Sequence, residues 1–332
     1  MKDLAEQLHV SIATVSRALR GSSEVGKEMQ RQVKDLAKKL NYRPNPFAQS
    51  LRKDAPRIIG VIVPNLVTHY YAAVLDGVED EARRAGYSVI SANSHEDFED
   101  EALALDNFIS LHVEGILACL AQDTTDYQHF EEVARIGIPL VFFGRTCLSE
   151  RFSSVKANGD EAALMATQHL IDTGSRRIAF LGGPSHLDMV SRRKHGYLEA
   201  LRENRIPIDR NLVVCDKIDY QVALRNAEAL LRGDNRPDAI LGFNDIITFA
   251  AFTAIKNCKL RIPEDVALIG FTDDEHTAYV TPRMSAIVDQ AFQMGVTACR
   301  LLLRNIGGDT KVYHEIVPQQ LVIRDTSAKI RK

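Results

Sequence analysis

The sequence lacks the features that mark several common classes of protein. None of its apolar runs approaches the roughly 20 residues needed to span a bilayer, and no apolar signal-peptide core precedes the helical pattern that starts at Lys2. Its five cysteines are scattered, odd in number and without CxxC spacing, so neither a disulfide framework nor a zinc site is expected. We therefore expect a cytoplasmic protein with reduced core thiols and no membrane partner.

Motifs of common enzymes are also missing. An NAD-dependent enzyme needs a glycine-rich turn after its first strand, but here Val63 is followed by Pro64-Asn65-Leu66. The chain has no GxxxxGK[ST] or GxSxG motif, and its ten histidines show no HExxH spacing. These absences predict that the chain is not an enzyme and that it needs no metal or other cofactor.

The charge of the chain is distributed unevenly. With 332 residues, the chain is expected to form two or three compact units. Residues 1–56 contain 11 Lys+Arg and 6 Asp+Glu, a net charge of +5, whereas the rest of the chain carries −8. A basic head on an acidic body favours a local site for a polyanion such as nucleic acid.

Three short helices are predicted in the basic head. The first runs from Lys2 to Leu8, and the third from about Lys27 to Leu40 with Val33, Leu36, Ala37 and Leu40 as its buried stripe. The second begins after Ser11, a good N-cap, and buries Val15 and Leu19. Its outer face then carries Ile12, Ala13, Ser16, Arg17 and Arg20. This pattern fits a helix-turn-helix, but it also fits a small helical bundle with no role in DNA binding.

Particular residues favour the first interpretation. The stretch Val10-Ser11-Ile12-Ala13-Thr14-Val15-Ser16-Arg17, followed by Asn41-Tyr42-Arg43-Pro44-Asn45 and Ala48-Gln49-Ser50-Leu51, resembles the lactose/galactose repressor (LacI/GalR) family. The resemblance continues to about Ser327. It implies a helix-turn-helix domain over residues 1–44, a hinge helix and linker over 45–56, and a homodimer on a pseudo-palindromic operator with a central CG step.

The resemblance also implies roles for individual residues. Bases in the major groove would be read by Ile12, Ala13 and Arg17, and phosphates would be held by Ser11, Thr14, Ser16 and Asn45. The hinge helix would lie in the minor groove, where Ala48 permits close approach and Leu51 wedges into the central base step. Family members usually carry a few residues before the position of Lys2, so the first helix is expected to begin without its cap.

From Arg57 onward, short apolar strands alternate with amphipathic helices, the pattern of parallel sheets covered on both faces. The predicted strands are Ile58–Val63, Ser88–Ile90, Gly115–Leu117, Leu140–Phe143, Ile178–Leu181, Ala239–Leu241 and Val266–Ile269. About 270 residues suggest two such sheets. The resemblance implies an α/β core of two lobes like a periplasmic sugar-binding protein, with crossovers near Asn158, Asp289 and Pro318. The lobes would comprise residues 57–157 plus 290–318 and 158–288 plus 319–328.

Candidate effector-binding residues follow the predicted strands, where open α/β sheets bind ligands. They are Tyr70, Tyr71, Arg145, Arg193, Asn244, Asp273 and Asp289. Each alone is more often a solvated loop residue, and Arg193 would serve equally in a structural ion pair with a carboxylate. The family commonly has an acid at the position of Gly144. Where purine-responsive members hold the base, this chain has Leu187, Met189 and Ile218, which disfavours a purine and adds Met189 and Ile218 to the candidate effector site.

Together these features predict a transcriptional regulator, most simply a repressor, controlled by a sugar or sugar derivative. A transport binding protein would share the two-lobed core, but it should carry a signal peptide and lack the basic head. No apolar heptads follow Leu321–Arg324, so a dimer is expected and not a tetramer. The helix Tyr71–Arg84 is expected to contribute to its interface. The sequence leaves open whether the effector releases DNA or promotes its binding.

Overall fold

The computed structural model describes residues 1–19, 21–40, 57–272 and 275–328. The chain divides into two compact units, Met1–Pro56 and Arg57–Lys332. The described helices are α1 (Lys2–Gln7), α2 (Ile12–Leu19), α3 (Lys27–Lys39), α4 (His69–Arg84), α5 (Phe98–Ser110), α6 (Gln128–Ile136), α7 (Gly159–Asp172), α8 (Asp188–Glu203), α9 (Tyr220–Arg232), α10 (Asp245–Asn257) and α11 (Ala291–Ile306). The described strands are β1 (Ile58–Val63), β2 (Ser88–Asn93), β3 (Gly115–Ala118), β4 (Leu140–Phe143), β5 (Ser153–Ala157), β6 (Ile178–Gly182), β7 (Val213–Cys215), β8 (Ala239–Gly242), β9 (Ala267–Phe271), β10 (Ser285–Val288), β11 (His314–Val317) and β12 (Gln320–Val322).

The first unit contains the three predicted helices packed around a small apolar core. Leu4 of α1, Val15 of α2 and Val33 of α3 are almost completely buried in it. The start of α2 is stabilised as the sequence predicts, because the backbone amide of Thr14 donates a hydrogen bond to Oγ of Ser11 at 3.1 Å. Met1 occupies the N-cap of α1 and makes no side-chain capping bond.

Two side chains of this unit lie differently from their predicted positions. Ser16 is buried, whereas it was expected on the outer face of α2. On a helix with about 100° per residue it lies about 60° from Leu19, so it borders the apolar stripe and its small side chain is covered. Leu40 was expected in the buried stripe of α3 but follows the last helical residue, and it is 43% exposed.

The second unit contains two six-stranded sheets. Their strand orders are β11-β5-β4-β3-β1-β2 and β12-β10-β9-β8-β6-β7, and all neighbours are parallel except the β10–β12 pair. We call the first sheet with helices α4–α6 and α11 the first lobe, and the second sheet with helices α7–α10 the second lobe. The predicted α/β class with two parallel-dominated sheets is confirmed, and each of the seven predicted strands lies in one of them.

The inner strands of each sheet are buried on both faces, which explains their continuous apolar runs. In β3, Ile116 and Ala118 pack against the α5 and α6 side of the sheet, while Leu117 packs with residues of α4 and α11 on the other. Successive side chains of a strand point to opposite faces, so a strand covered on both sides needs apolar residues at every position.

The chain passes from one lobe to the other at three connections, β5 to α7, β10 to α11 and β11 to β12. Asn158, Asp289 and Pro318 lie in these connections. Hydrogen bonds tie them together: the backbone amide of Gln319 donates to Oδ1 of Asn158 at 2.9 Å, and Nε2 of Gln319 donates to Oδ1 of Asp289. The three crossovers therefore form one bonded cluster beside the cleft.

Within each lobe, one pair of helices packs with unusually close backbones. A Cβ atom on Gly77 of α4 would lie 2.1 Å from the carbonyl oxygen of Phe292, and one on Gly295 of α11 would lie 2.0 Å from that of Val74. Gly196 of α8 has the same relation to Asp160 of α7, at 2.0 Å. Only glycine fits these crossings without displacing the backbone.

Candidate functional site

A cavity lies between the lobes, at the carboxyl ends of the strands of both sheets. Its volume is about 60 Å³, which is room for several waters or a small ligand. Its lining residues are Asn65, Thr68, Tyr70, Tyr71, Glu96, Cys119, Gly144, Arg145, Ala157, Met189, Arg193, Phe243, Asn244, Asp245, Ile246, Phe271, Thr272 and Asp289. Parallel strands end at one edge of a sheet, so residues distant in sequence meet here.

The structure brings together most of the candidate effector residues. Seven of the nine line the cavity: Tyr70, Tyr71, Arg145, Met189, Arg193, Asn244 and Asp289. Ile218 does not line it and is packed in the core of the second lobe, against Gly183. Asp273 lies outside the described residues.

Arg193 is held on the second-lobe side by charge and aromatic contacts. Its Nη1 donates a hydrogen bond to the carbonyl oxygen of Phe243, and its Nη2 lies 3.7 Å from Oδ2 of Asp289. The guanidinium carbon lies 3.8 Å from the ring centre of Phe271 and 4.9 Å from that of Phe243. Among the described residues its buried Nε has no hydrogen-bond partner. Its Nε therefore remains available to donate to a ligand.

Burial also affects the ionisation of this pair. Desolvation lowers the pKa of Arg193, and the nearby Asp289 opposes that effect. Desolvation likewise raises the pKa of Asp289 above its ordinary value, with Arg193 and Gln319 acting in the opposite direction. Each charge is therefore tolerated in the cleft largely because the other is present.

Arg145 is paired with an acid that the sequence analysis missed. Its Nη1 and Nη2 lie 2.5 and 3.0 Å from the two carboxylate oxygens of Glu96, and Nη1 also donates to the carbonyl oxygen of Leu120 at 3.1 Å. The Glu96 carboxylate accepts a further bond from the backbone amide of Gln122 at 2.8 Å. Although burial disfavours its charge, Tyr71 and Glu96 raise the pKa of Arg145.

Glu96 supplies the carboxylate beside Arg145, whereas the neighbouring position 144 is a glycine. Gly144 has a φ of +65°, a backbone conformation in which an acidic residue would be strained. Glu96 stands three residues after β2 in a loop where it and His95 both have positive φ. The strand-end rule that selected the other candidates would also have selected Glu96.

An uncharged tyrosine hydroxyl and an uncharged cysteine thiol line the first-lobe side of the cavity. The rings of Tyr70 and Tyr71 meet edge to face at 5.1 Å, and the Tyr71 hydroxyl shares a hydrogen bond with Sγ of Cys119 at 3.6 Å. Burial raises the pKa of Tyr71 well above its ordinary value and that of Cys119 to about 11. Both groups are therefore protonated at neutral pH and able to donate hydrogen bonds.

Two polar contacts join the lobes across the cleft. The backbone amide of Ile218 in the second lobe donates to Oε1 of Gln122 in the first at 2.9 Å. Nζ of Lys156 at the end of β5 lies 2.8 Å from Oδ2 of Asp188 at the start of α8. Ile218 thus contacts the opposite lobe through its backbone, whereas its side chain is buried away from the cavity.

The candidate DNA-reading residues lie on and before α2. Ile12, Ala13 and Arg17 are exposed, and the large apolar side chain of Ile12 is 44% exposed. Ser11 is exposed and Thr14 partly buried, both engaged in the cap of α2. Nε of Arg17 lies 3.1 Å from the Glu24 carboxylate. Asn45, Ala48 and Leu51 lie outside the described residues.

Comparison with known proteins agrees with this arrangement. Residues 1–45 match the family model of bacterial regulatory proteins of the lacI family, and residues 167–327 match a periplasmic binding protein-like domain. The chain is 33% identical over 303 residues to the ribose operon repressor of Bacillus subtilis (strain 168), covering 91% of this chain and 90% of that protein. The chain belongs to the lacI family. As a member of the lacI family, it is a DNA-binding transcription regulator controlled by a small-molecule effector.

Two solved structures resemble the lacI-family chain over nearly its whole length. The transcriptional regulator CelR in complex with cellobiose is 26% identical with a TM-score of 0.76, and the match covers 97% of this chain and 98% of that one. The lac repressor dimer bound to operator and the anti-inducer ONPF has a TM-score of 0.86 at 24% identity, with 98% of each chain covered, and supports the fold. No helix in the described ranges is long and apolar enough to cross a membrane.

Proposed function

We propose that this lacI-family protein is a repressor that binds its operator as a homodimer and that a sugar or sugar derivative, bound between the lobes, changes its affinity for the operator. The observation that carries the proposal is the cavity itself. It combines tyrosine rings, which stack on apolar sugar faces, with hydrogen-bonding groups from both sheets. Sugar regulation also fits the names of two similar proteins, the ribose operon repressor and the CelR–cellobiose complex.

In this proposal Arg193 is the principal anchor of the effector. Its free Nε suits a ligand oxygen, and its remaining contacts hold the guanidinium in place. The oxygen of the Asn244 side chain already accepts a bond from the backbone amide of Ile247, which leaves its amide group as a donor. Asp273 and Asp289 supply acceptors. Tyr70, Tyr71 and Arg145 complete the site from the first lobe, and Met189 contributes apolar contact.

Purines fit this account poorly. The positions at which purine-responsive members hold the base carry Leu187, Met189 and Ile218 here. Leu187 and Ile218 are buried in the core of the second lobe and provide neither the ring nor the hydrogen-bonding groups that a purine needs.

For DNA we propose that Ile12, Ala13 and Arg17 read bases. Ser11, Thr14, Ser16 and Asn45 would hold phosphates, and Ala48 and Leu51 would act in the minor groove. The buried position of Ser16 reduces it to a contact through its backbone or through a small part of its side chain. The domain boundaries that we propose are 1–44, 45–56 and 57–332, with lobes of residues 57–157 plus 290–318 and 158–288 plus 319–328. The protein would work in the cytoplasm, without catalytic activity.

The homodimer is tested by sedimentation at micromolar concentration. We expect one dimeric species, with α4 contributing to its interface through side chains such as Asp76 and Glu79, which are exposed in this chain. A stable monomer or a tetramer would refute this part of the proposal. The inner side of α4 is already used by its crossing with α11.

The effector is tested by a thermal-shift screen of sugars, sugar phosphates and nucleobases. A ligand at 100 times its Kd should stabilise the protein by about 2.7 kcal/mol. Its effect on operator binding is then compared in Arg193→Lys, which keeps the charge beside Asp289 but loses the guanidinium, and in Arg202→Lys, a matched change at an exposed site of the same helix. Arg193→Lys should bind operator without responding to the ligand. A normal response would remove Arg193 from the anchor role.

A further inference from the structure

The charged groups of the cavity are balanced in an unusual way. Its two arginines, Arg145 and Arg193, each have a carboxylate partner, Glu96 and Asp289 respectively. A third acid, Asp245, also lines the cavity. Among the described lining residues the acids therefore outnumber the bases by one, and neither guanidinium carries an uncompensated positive charge.

The pairing of Arg145 uses the geometry with which arginine binds anionic ligands. Two parallel N–H groups of a guanidinium fit the two oxygens of a carboxylate or phosphate. In this cavity both positions are occupied by Glu96. Glu96 also accepts a hydrogen bond from the backbone amide of Gln122. An incoming anion would therefore have to displace a carboxylate that accepts three hydrogen bonds, two of them from Arg145.

Arg193 offers little more to an anion. One of its terminal nitrogens is bonded to the Phe243 carbonyl, the other faces Asp289, and the guanidinium lies against the Phe271 ring. Its Nε has no hydrogen-bond partner among the described residues, and the Asp289 carboxylate lies 3.7 Å from its Nη2. A donor beside a carboxylate suits a hydroxyl group, which can accept from Nε and donate to an acid.

We infer that the cavity selects an uncharged, hydroxyl-rich effector over its phosphorylated or carboxylated counterpart, and that Glu96 is the residue that determines this preference. The inference rests on the proposed function and narrows its ligand class. An anionic group would add its negative charge to those of Glu96, Asp245 and Asp289, which already outnumber the two arginines of the cavity. A neutral sugar meets no such repulsion.

The test compares neutral sugars with their phosphate esters by titration calorimetry on the full chain. Suitable pairs are D-ribose with D-ribose 5-phosphate, D-glucose with D-glucose 6-phosphate, and D-xylulose with D-xylulose 5-phosphate. In the pair that binds, we expect the neutral sugar to have a Kd at least about tenfold lower. A phosphate ester that binds equally well or more tightly would overturn the inference and leave the proposed function standing. Absence of binding by every member would contradict the proposed function as well.

The role of Glu96 is tested with Glu96→Gln, which keeps the shape of the side chain and frees the charge of Arg145. The preference for the neutral sugar should shrink by about tenfold or reverse. Glu96→Asp keeps the charge and should keep the preference, and Glu99→Gln, at an exposed site nearby, should leave it unchanged. An unaltered preference in Glu96→Gln would refute the assignment of Glu96. The wild-type ratio tests the ligand class even if that variant does not fold.

Discussion

Gln122 of the first lobe accepts a hydrogen bond from the backbone amide of Ile218 in the second, at 2.9 Å. The backbone amide of Gln122 also donates to Glu96, which is paired with Arg145 in the cavity. A continuous series of polar contacts therefore leads from the cavity wall to the opposite lobe. Since a ligand can change a conformation only by contacting two states differently, contacts of this kind connect the cavity to the lobe arrangement.

We expect Gln122→Ala to weaken effector binding. The substitution removes one hydrogen bond that joins the lobes around the ligand. Such a bond contributes about 0.5–1.5 kcal/mol, which corresponds to a roughly two- to tenfold higher Kd. Titration calorimetry with the ligand found in the screen measures it. The control is Gln128→Ala, an exposed glutamine at the start of α6. An identical Kd for Gln122→Ala and wild type would show that this contact does not support ligand binding.

Replacing Arg193 by methionine should destabilise the second unit, and more at neutral pH than at acidic pH. Removal of one partner from a buried ion pair costs about 3–5 kcal/mol. Burial already raises the pKa of Asp289, and loss of Arg193 raises it further. A carboxyl group whose pKa is higher in the folded than in the unfolded protein holds its proton more tightly when folded. The folded state is therefore destabilised as pH rises above the pKa of the carboxyl group in the unfolded chain, and this destabilisation disappears as pH falls.

Urea unfolding of wild type and Arg193→Met at about pH 5 and about pH 7.5 tests this pH dependence of the destabilisation. The difference in the free energy of unfolding should be larger at the higher pH. Adding Asp289→Asn to Arg193→Met should restore part of the stability and remove most of the pH dependence. A difference that grows toward acidic pH would contradict the pairing.

The close crossing of α4 and α11 predicts a strong effect of a single methyl group. In Gly295→Ala the new Cβ would lie 2.0 Å from the Val74 carbonyl oxygen, so the helices must separate, at a cost of about 1–3 kcal/mol or more. Gly233→Ala, where the nearest atom lies 3.6 Å away, should cost little. Thermal unfolding of both variants measures the difference, and equal Tm values would show that the crossing relaxes freely.

For the DNA-binding unit, we expect Arg17→Ala to reduce operator affinity by about 1–3 kcal/mol and to relax base preference at one position in each half-site. Arg17 is exposed, and an ion pair at the surface such as the one it makes with Glu24 contributes little stability, so the fold should be unaffected. Binding to a set of operators with single base changes measures the preference. Equal weakening for operator and random duplex would identify Arg17 as a phosphate contact instead.

Sequence patterns predicted the strands whose signal is local. Six of the seven runs found from the sequence are almost wholly buried strands, because both of their sides are covered, whereas β2 lies at a sheet edge and has no buried residue. By contrast β5 and β11 contain Ser153, Lys156 and Glu315, and β11 leaves Ile316 65% exposed at the sheet edge. Their place in the first sheet depends on pairing across about 160 residues, which no local pattern records.

The candidate site shows the same limit. Strand ends predicted which residues surround the cavity, since parallel strands finish at one edge. Partners could not be predicted: Glu96 and Arg145 are separated by 49 residues, and Arg193 and Asp289 by many more. The side chain of Ile218 was assigned from a family position, but its direction is decided by how the second lobe packs around Gly183.

The central claim is that occupation of the cavity and operator binding influence each other through the arrangement of the lobes. Linkage requires that any change in operator affinity caused by the ligand be matched by an equal change in ligand affinity caused by the operator. The most direct measurement is therefore the Kd of the ligand for the free protein and for the protein saturated with operator. We expect the two values to differ by about fivefold or more. Identical values, with ligand bound in both cases, would contradict the account.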